Sequence, residues 1–160
     1  CLMSLVVEYQ QARRQEDLAR LRRALALRAL AVTGASQREV ADALDISQPA
    51  ISQQLKAAQN LIARSHPEEL VEAAGPVLVE VARSRGFDRL AVFGSVARHQ
   101  ARSDSDIDLL VEAPASAGIK DVLALRDAFQ AILGRPVDLV TYAGLRPGLD
   151  DDVRREAVLL

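Results

Sequence analysis

Asp106-Ile107-Asp108-Leu109 follows Gly94-Ser95 after a short polar stretch, and a third carboxylate stands within Val137-Asp138-Leu139-Val140. Successive side chains of a β-strand point to opposite faces. Ile107, Leu109 and Val111 would then enter a core, leaving Asp106 and Asp108 together on the other face. Val137 and Leu139 set Asp138 apart in the same way, so neighbouring strands would bring three carboxylates together. Such groups repel unless a cation sits between them. Magnesium, a hard ion that prefers oxygen ligands, is the natural occupant where phosphate is also bound. Gly94 lets backbone approach a phosphate closely, while Ser95 adds a hydroxyl and an amide N–H near a helix start. Phosphoryl and nucleotidyl transfer depend chiefly on positioning and charge neutralisation, and this set of side chains suits them. The alternative pair Asp104/Asp106 fails because Ser105 and Ile107 do not give a buried alternation. Singly, a Gly-Ser, an Asp-x-Asp or the polar Ser103-Asp104-Ser105-Asp106 is an ordinary loop feature. Flanking apolar strands give the combination its meaning.

Three strands are expected to carry these groups: Leu90 to Phe93, Ile107 to Val111 and Val137 to Thr141. An amphipathic helix from Ile119 to Leu133, closed by Gly134, separates the last two. Pro67 to Ala74 and Pro76 to Arg85 read as two helical segments ended by Gly86. A last helix is expected from about Leu149 to Glu156. The loop 113–118 is simply a connection, and no repeat or low-complexity tract is present.

A second functional signal lies upstream. Val6 to about Val32 is a run of helix formers without Gly or Pro, stopped at Thr33-Gly34. Ser36-Gln37-Arg38-Glu39 has capping-box spacing and starts a short second helix. Asp45 marks a turn, and Ser47 caps a third helix with Pro49 in its first turn, running to about Ala63. Val40, Ala41, Leu44, Ile46, Ile51 and Leu55 form the apolar skeleton two short crossing helices need. The third helix would expose Gln48, Pro49, Ser52, Gln53 and Lys56. Gln can read adenine, Ser can bond base or phosphate, and Arg38 with Lys56 can hold the DNA backbone. The plainer alternative is a helical hairpin used for oligomerisation; the lack of Arg on the third helix weakens the DNA reading, which remains the favoured one.

Two resemblances follow from these residues. The stretch from Val92-Phe93-Gly94-Ser95-Val96-Ala97-Arg98 through Ser105–Val111 and Val137–Val140 resembles the minimal nucleotidyltransferases of the DNA polymerase β superfamily. With the tail Leu145-Arg146-Pro147 and Arg155–Leu159, it covers residues 76–160. The resemblance implies that Gly94 and Ser95 grip a triphosphate. It further implies that Asp106 and Asp108 bind two magnesium ions, and that Asp138 binds the catalytic ion and helps deprotonate the acceptor hydroxyl. Arg98 and Arg102 are candidates for neutralising phosphate. His99 departs from the family, where Gly usually follows Ala-Arg, and would alter the turn beside the phosphate site. Residues 36–59 resemble the bacterial repressor-type helix-turn-helix, including the segment fused ahead of some minimal nucleotidyltransferases. Such modules bind near-palindromic DNA as dimers. The antitoxins of this type move AMP from ATP onto a hydroxyl, typically tyrosine, of a HEPN-family toxin ribonuclease. The implied partners are therefore DNA, a HEPN toxin, and a second copy or a toxin–antitoxin hetero-oligomer. Alternatives are a regulator whose transferase-like domain only binds nucleotide or protein, and a small-molecule nucleotidyltransferase. The short C-terminal portion leaves little room for the substrate domain the latter would need.

Together the motifs and the resemblances imply an α+β chain: an all-helical helix-turn-helix domain over 1–66 and a nucleotidyltransferase domain over 67–160, with a small mixed β-sheet packed by helices. The 160 residues are 49% apolar, with no Trp, three Phe and two Tyr, so Leu, Val and Ala must build the core. Residues 1–65 carry nine Arg/Lys against six Asp/Glu, and the remainder eleven against sixteen. A mildly basic front suits DNA and an acidic rear suits cations. A lone cysteine excludes an internal disulfide and fits a reducing cytoplasm. Cys1-Leu2-Met3 is too short for a secretory signal, no run is long enough for a membrane span, and Met3 is a candidate start.

Overall fold

The computed structural model describes all 160 residues. Helices α1 (Leu2–Val32), α2 (Gln37–Leu44) and α3 (Gln48–Arg64) come first, followed by α4 (Pro67–Ser84). Then follow β1 (Asp88–Phe93), α5 (Gly94–Ala97), β2 (Ile107–Glu112), α6 (Ile119–Leu133) and β3 (Val137–Thr141). A 3₁₀ turn (Tyr142–Gly144), α7 (Asp151–Glu156) and β4 (Val158–Leu159) complete the chain. The sheet order is β3-β2-β1-β4, with β2 and β3 parallel and the other pairs antiparallel. The sheet is therefore mixed, in an α+β fold. No helix is long and apolar enough to cross a membrane.

Local chemistry fixes the helix ends. Ser36 Oγ accepts from the Glu39 N–H at 3.1 Å and Ser47 Oγ from the Ala50 N–H at 3.2 Å, each satisfying an otherwise orphaned amide. Asp45, between α2 and α3, takes the left-handed conformation (φ 55°), and Gly134 closes α6 in the same region. In α1, Leu21, Ala24, Leu25 and Ala29 recur at helical spacing and are buried, whereas residues 1–17 are exposed on every side.

The main core lies between the helices and one face of the sheet. Leu25, Ile62, Leu70, Leu78, Ile107, Leu109, Leu125, Phe129, Ile132 and Leu133 are at most 1% exposed, and each such side chain contributes about 1.5–3 kcal/mol. The cluster runs unbroken from α1 and α3 to the sheet. A small satellite of Leu27, Val40, Ala41 and Ile51 holds the α2–α3 turn.

Three expectations are corrected. Pro67 to Ser84 is one helix, not two. Leu70, Val71, Ala74, Leu78, Val81 and Ala82 stay in helical phase through Gly75-Pro76, and their burial outweighs a cost of about 3 kcal/mol for an internal proline. Leu44 is 48% exposed, and Leu27 from α1 fills the place expected of it in the turn's core. The last helix starts at Asp151 rather than Leu149 and is followed by the unexpected strand β4. The aspartate face of β2 also carries an apolar patch. Leu110 is fully buried there with Ala91, Phe93 and Leu145, under Tyr142, Val153 and Ala157 of the C-terminal segment.

Candidate active site and DNA interface

Hydrogen bonding in the sheet sets the position of the acidic groups. In the parallel β2–β3 ladder Asp108 pairs with Asp138, so their Cα atoms lie side by side on neighbouring strands, about 4.8 Å apart in the ladder direction. Asp106 lies just before β2, two residues back and so in the same facing phase. Ile107, Leu109, Val111 and Val137 are buried on the other face. Asp108 is half-buried, and Asp106 and Asp138 are exposed.

Phe93, the last residue of β1, pairs with Asp108 across the antiparallel ladder, which brings Gly94 against the aspartate. A Cβ on residue 94 would stand 2.1 Å from Asp108 Oδ2, and Gly94 has φ +70°. Glycine is required here on both counts. Ser95 follows in the first turn of α5, half-buried, and its hydroxyl makes no hydrogen bond within the protein. Gly94, Ser95, Asp108 and Asp138 therefore come from three adjacent segments at one end of the sheet.

Electrostatics mark the place. The Asp108 carboxyl is pushed up to about 6, first by burial, then by Asp138 and Asp106; Arg98 opposes the rise. Asp106, Asp108 and Asp138, with Glu156 adding to the same negative charge, outweigh the one opposing cation and present oxygen donors that fit a hard divalent ion. No three Asp, Glu, His or Cys side chains close around a common point as the chain stands. The backbone register, rather than a finished ligand cage, gathers the donors. A cavity of about 760 Å³ lies elsewhere, between α1 and α4 beside Leu30, Pro76 and Val81, and none of the three aspartates borders it.

His99 closes α5 with φ 55°. That region is free for glycine and tolerated by histidine, so the turn keeps the form a glycine would give it. Its amide donates to the Val96 carbonyl at 3.1 Å, and its Nδ1 lies 3.8 Å from Glu68 Oε1 on α4. Arg102 donates its backbone N–H to Ser105 Oγ at 2.7 Å, steadying the loop before Asp106. Arg135 ties that loop to the end of α3: it donates to the Ser103 carbonyl at 2.5 Å and to the Ser65 carbonyl, just past α3, at 2.9 Å.

Residues 78–160, just over half the chain, match the nucleotidyltransferase domain family. The chain belongs to that family. Residues 17–61 match a homeodomain-like domain, which extends the helix-turn-helix back into α1. The transferase part is 35% identical over 81 residues to a protein of Methanocaldococcus jannaschii named as a protein adenylyltransferase, covering 51% of this chain and 87% of that one. It is 37% identical over 73 residues to the protein adenylyltransferase MntA of Thermococcus cleftensis, covering 46% of this chain and 74% of the relative. A solved structure described as a minimal nucleotidyltransferase superposes with a TM-score of 0.55 at 38% identity, over 61% of this chain and 98% of its own. This nucleotidyltransferase thus carries its helix-turn-helix ahead of a region that accounts for nearly all of that solved chain.

On that helix-turn-helix, Arg38, Gln48, Gln53 and Lys56 are exposed and Ser52 is half-buried. Sequence reading missed Gln37: its Oε1 accepts from Gln48 Nε2 at 2.7 Å, so the first residue of α2 fixes the first side chain of α3. The signal was available in two glutamines at matching helix starts. Glu156 was missed as well, because its contacts lie 62 residues away in the chain.

Proposed function

We propose that the chain transfers AMP from ATP, with magnesium, to a hydroxyl of a partner protein, and that its front half binds DNA. The partner is proposed to be a HEPN-type toxin with a tyrosine acceptor, and the DNA the operator of the pair. Residues 67–160 would form the transferase and 1–66 the DNA-binding module. The exposed α1 start, with Leu2, Leu5 and Tyr9, offers a dimer contact. The single observation that carries the enzymatic reading is Asp108 paired with Asp138 in the β2–β3 ladder, with Gly94 pressed against Asp108.

Each residue has a task in this reading. Asp106, Asp108 and Asp138 would hold magnesium, which when bound supplies neutralisation of phosphate charge. Gly94 brings backbone close enough for the triphosphate to lie along the turn, and Ser95 contributes its hydroxyl and amide N–H. The acceptor oxygen bonds to the α-phosphorus, the bond to the pyrophosphate oxygen breaks, and the acceptor's proton passes to Asp138. Gln48, Ser52 and Gln53 would read base edges, and Arg38 and Lys56 would hold phosphates.

Incubation with α-labelled ATP, magnesium and a candidate toxin tests the reading. Label should move to the toxin and disappear with Asp106→Ala plus Asp108→Ala. Label that persists in the double variant rejects the site. Tight, ATP-sensitive operator binding without transfer to any acceptor would favour a regulator that only binds nucleotide.

A further inference from the structure

Glu156, at the end of α7, reaches back to the turn after β1. Its Oε1 accepts from the Gly94 N–H at 2.9 Å and from Arg98 Nη1 at 3.2 Å, and its Oε2 accepts from the same Nη1 at 2.9 Å. The side chain is only 24% exposed. Glu156 also adds to the negative charge that raises the Asp108 carboxyl, so it sits in an acidic neighbourhood. Charge-assisted bonds of this kind are stronger and shorter than neutral ones and fix the groups they join.

The contacts leave the neighbouring donors free. Arg98 Nε points to Gln100 Oε1 at 3.4 Å, and Nη2 has no partner in the protein. Ser95 has its hydroxyl unengaged, one residue from the bonded amide. With its Nη1 held by Glu156, the guanidinium presents its Nη2 donors on a fixed plane, which suits a phosphate oxygen.

We infer that Glu156 is a positioning residue of the nucleotide site: it clamps the Gly94 amide and the Arg98 guanidinium so that Ser95 and Arg98 face the triphosphate. This rests on the nucleotide reading above. It assigns to the C-terminal segment a part in substrate binding beyond covering the sheet. The opposite role, a carboxylate standing where a phosphate belongs and displaced by it, predicts the opposite response to removal.

The test uses the full chain with Glu156→Gln and Glu156→Ala, measuring hydrogen exchange at the Gly94 amide and affinity for magnesium-ATP. The alanine variant should lose exchange protection at Gly94 and bind ATP about tenfold more weakly, a loss on the scale of one charge-assisted hydrogen bond. The glutamine variant keeps an acceptor for Gly94 and should restore the protection and part of the affinity; it also serves if the alanine variant does not fold. A merely structural role would lower the melting temperature without changing ATP affinity in the folded protein, and so would overturn the proposal. Tighter ATP binding by either variant would overturn it too, as would Gly94 protection unchanged in the alanine variant. A wild-type chain that shows the Gly94 protection yet binds no ATP would remove the nucleotide reading and this proposal with it.

Discussion

Asp108→Asn should stabilise the metal-free protein while abolishing its transfer activity. The Asp108 carboxyl is raised from 3.8 to about 6 by burial and by its acidic neighbours. The native state therefore holds that proton more tightly than the unfolded chain does. The contribution to stability is fully present below the unfolded value of 3.8 and is lost as pH rises through about 6. Taken at face value, a rise of about two units costs about 3 kcal/mol at neutral pH. Asp108 is only half-buried, so solvent screening reduces this to about 1–2 kcal/mol. Asparagine has nearly the same shape and carries no charge. At pH 8 without divalent ions, Asp108→Asn should raise the melting temperature by about 3–6 °C. The gain should shrink toward zero near pH 4, and magnesium should narrow it at pH 8 by stabilising the wild type alone. Thermal denaturation across pH, with and without magnesium, makes the measurement. A variant no more stable than wild type at pH 8, or equally favoured at pH 4 and pH 8, would refute the reasoning.

Gly94→Ala should abolish activity, because its Cβ would fall 2.1 Å from Asp108 Oδ2, and circular dichroism should show a fold destabilised by about 1–3 kcal/mol. His99→Gly should leave stability within about 0.5 kcal/mol of wild type, whereas His99→Val should cost about 1–2 kcal/mol, since a β-branched residue resists a positive φ. Ile62→Ala, in the core shared by α1, α3 and the sheet, should cost about 2–5 kcal/mol, and denaturant unfolding should remain one transition in which both halves melt together. Lys56→Ala should lower the salt dependence of operator binding by about one counterion, and Gln37→Ala should weaken discrimination at the base that Gln48 is proposed to read; fluorescence anisotropy at several salt concentrations measures both.

The legible parts of the fold were those set by local chemistry. Ser36, Ser47 and Gly134 fix helix ends through bonds or dihedrals a few residues away, and the alternation around Asp106, Asp108 and Asp138 follows from the period of a strand. The family resemblance singled out position 99 as a glycine site, and its φ of 55° gives the physical reason. What stayed illegible depends on contacts distant in sequence. Pro76 reads as a break because nothing local reveals how much of α4 is buried around it. Leu110 shares the aspartates' face, but only the returning C-terminal segment makes that place apolar. Glu156 lies in a charged run, Arg154-Arg155-Glu156, that reads as solvent-exposed until α7 is seen to pass the Gly94 turn. The register of β2 against β3 could only be supposed, since periodicity assigns faces and not neighbours.

The most direct test of the central claim needs no acceptor: calorimetric titration of a non-hydrolysable ATP analogue into the full chain, with and without magnesium. The account predicts saturable binding that depends on magnesium and is lost when Asp108 and Asp138 are both replaced by alanine in a protein that still folds. Binding that is indifferent to magnesium, or that survives the double replacement unchanged, would contradict it.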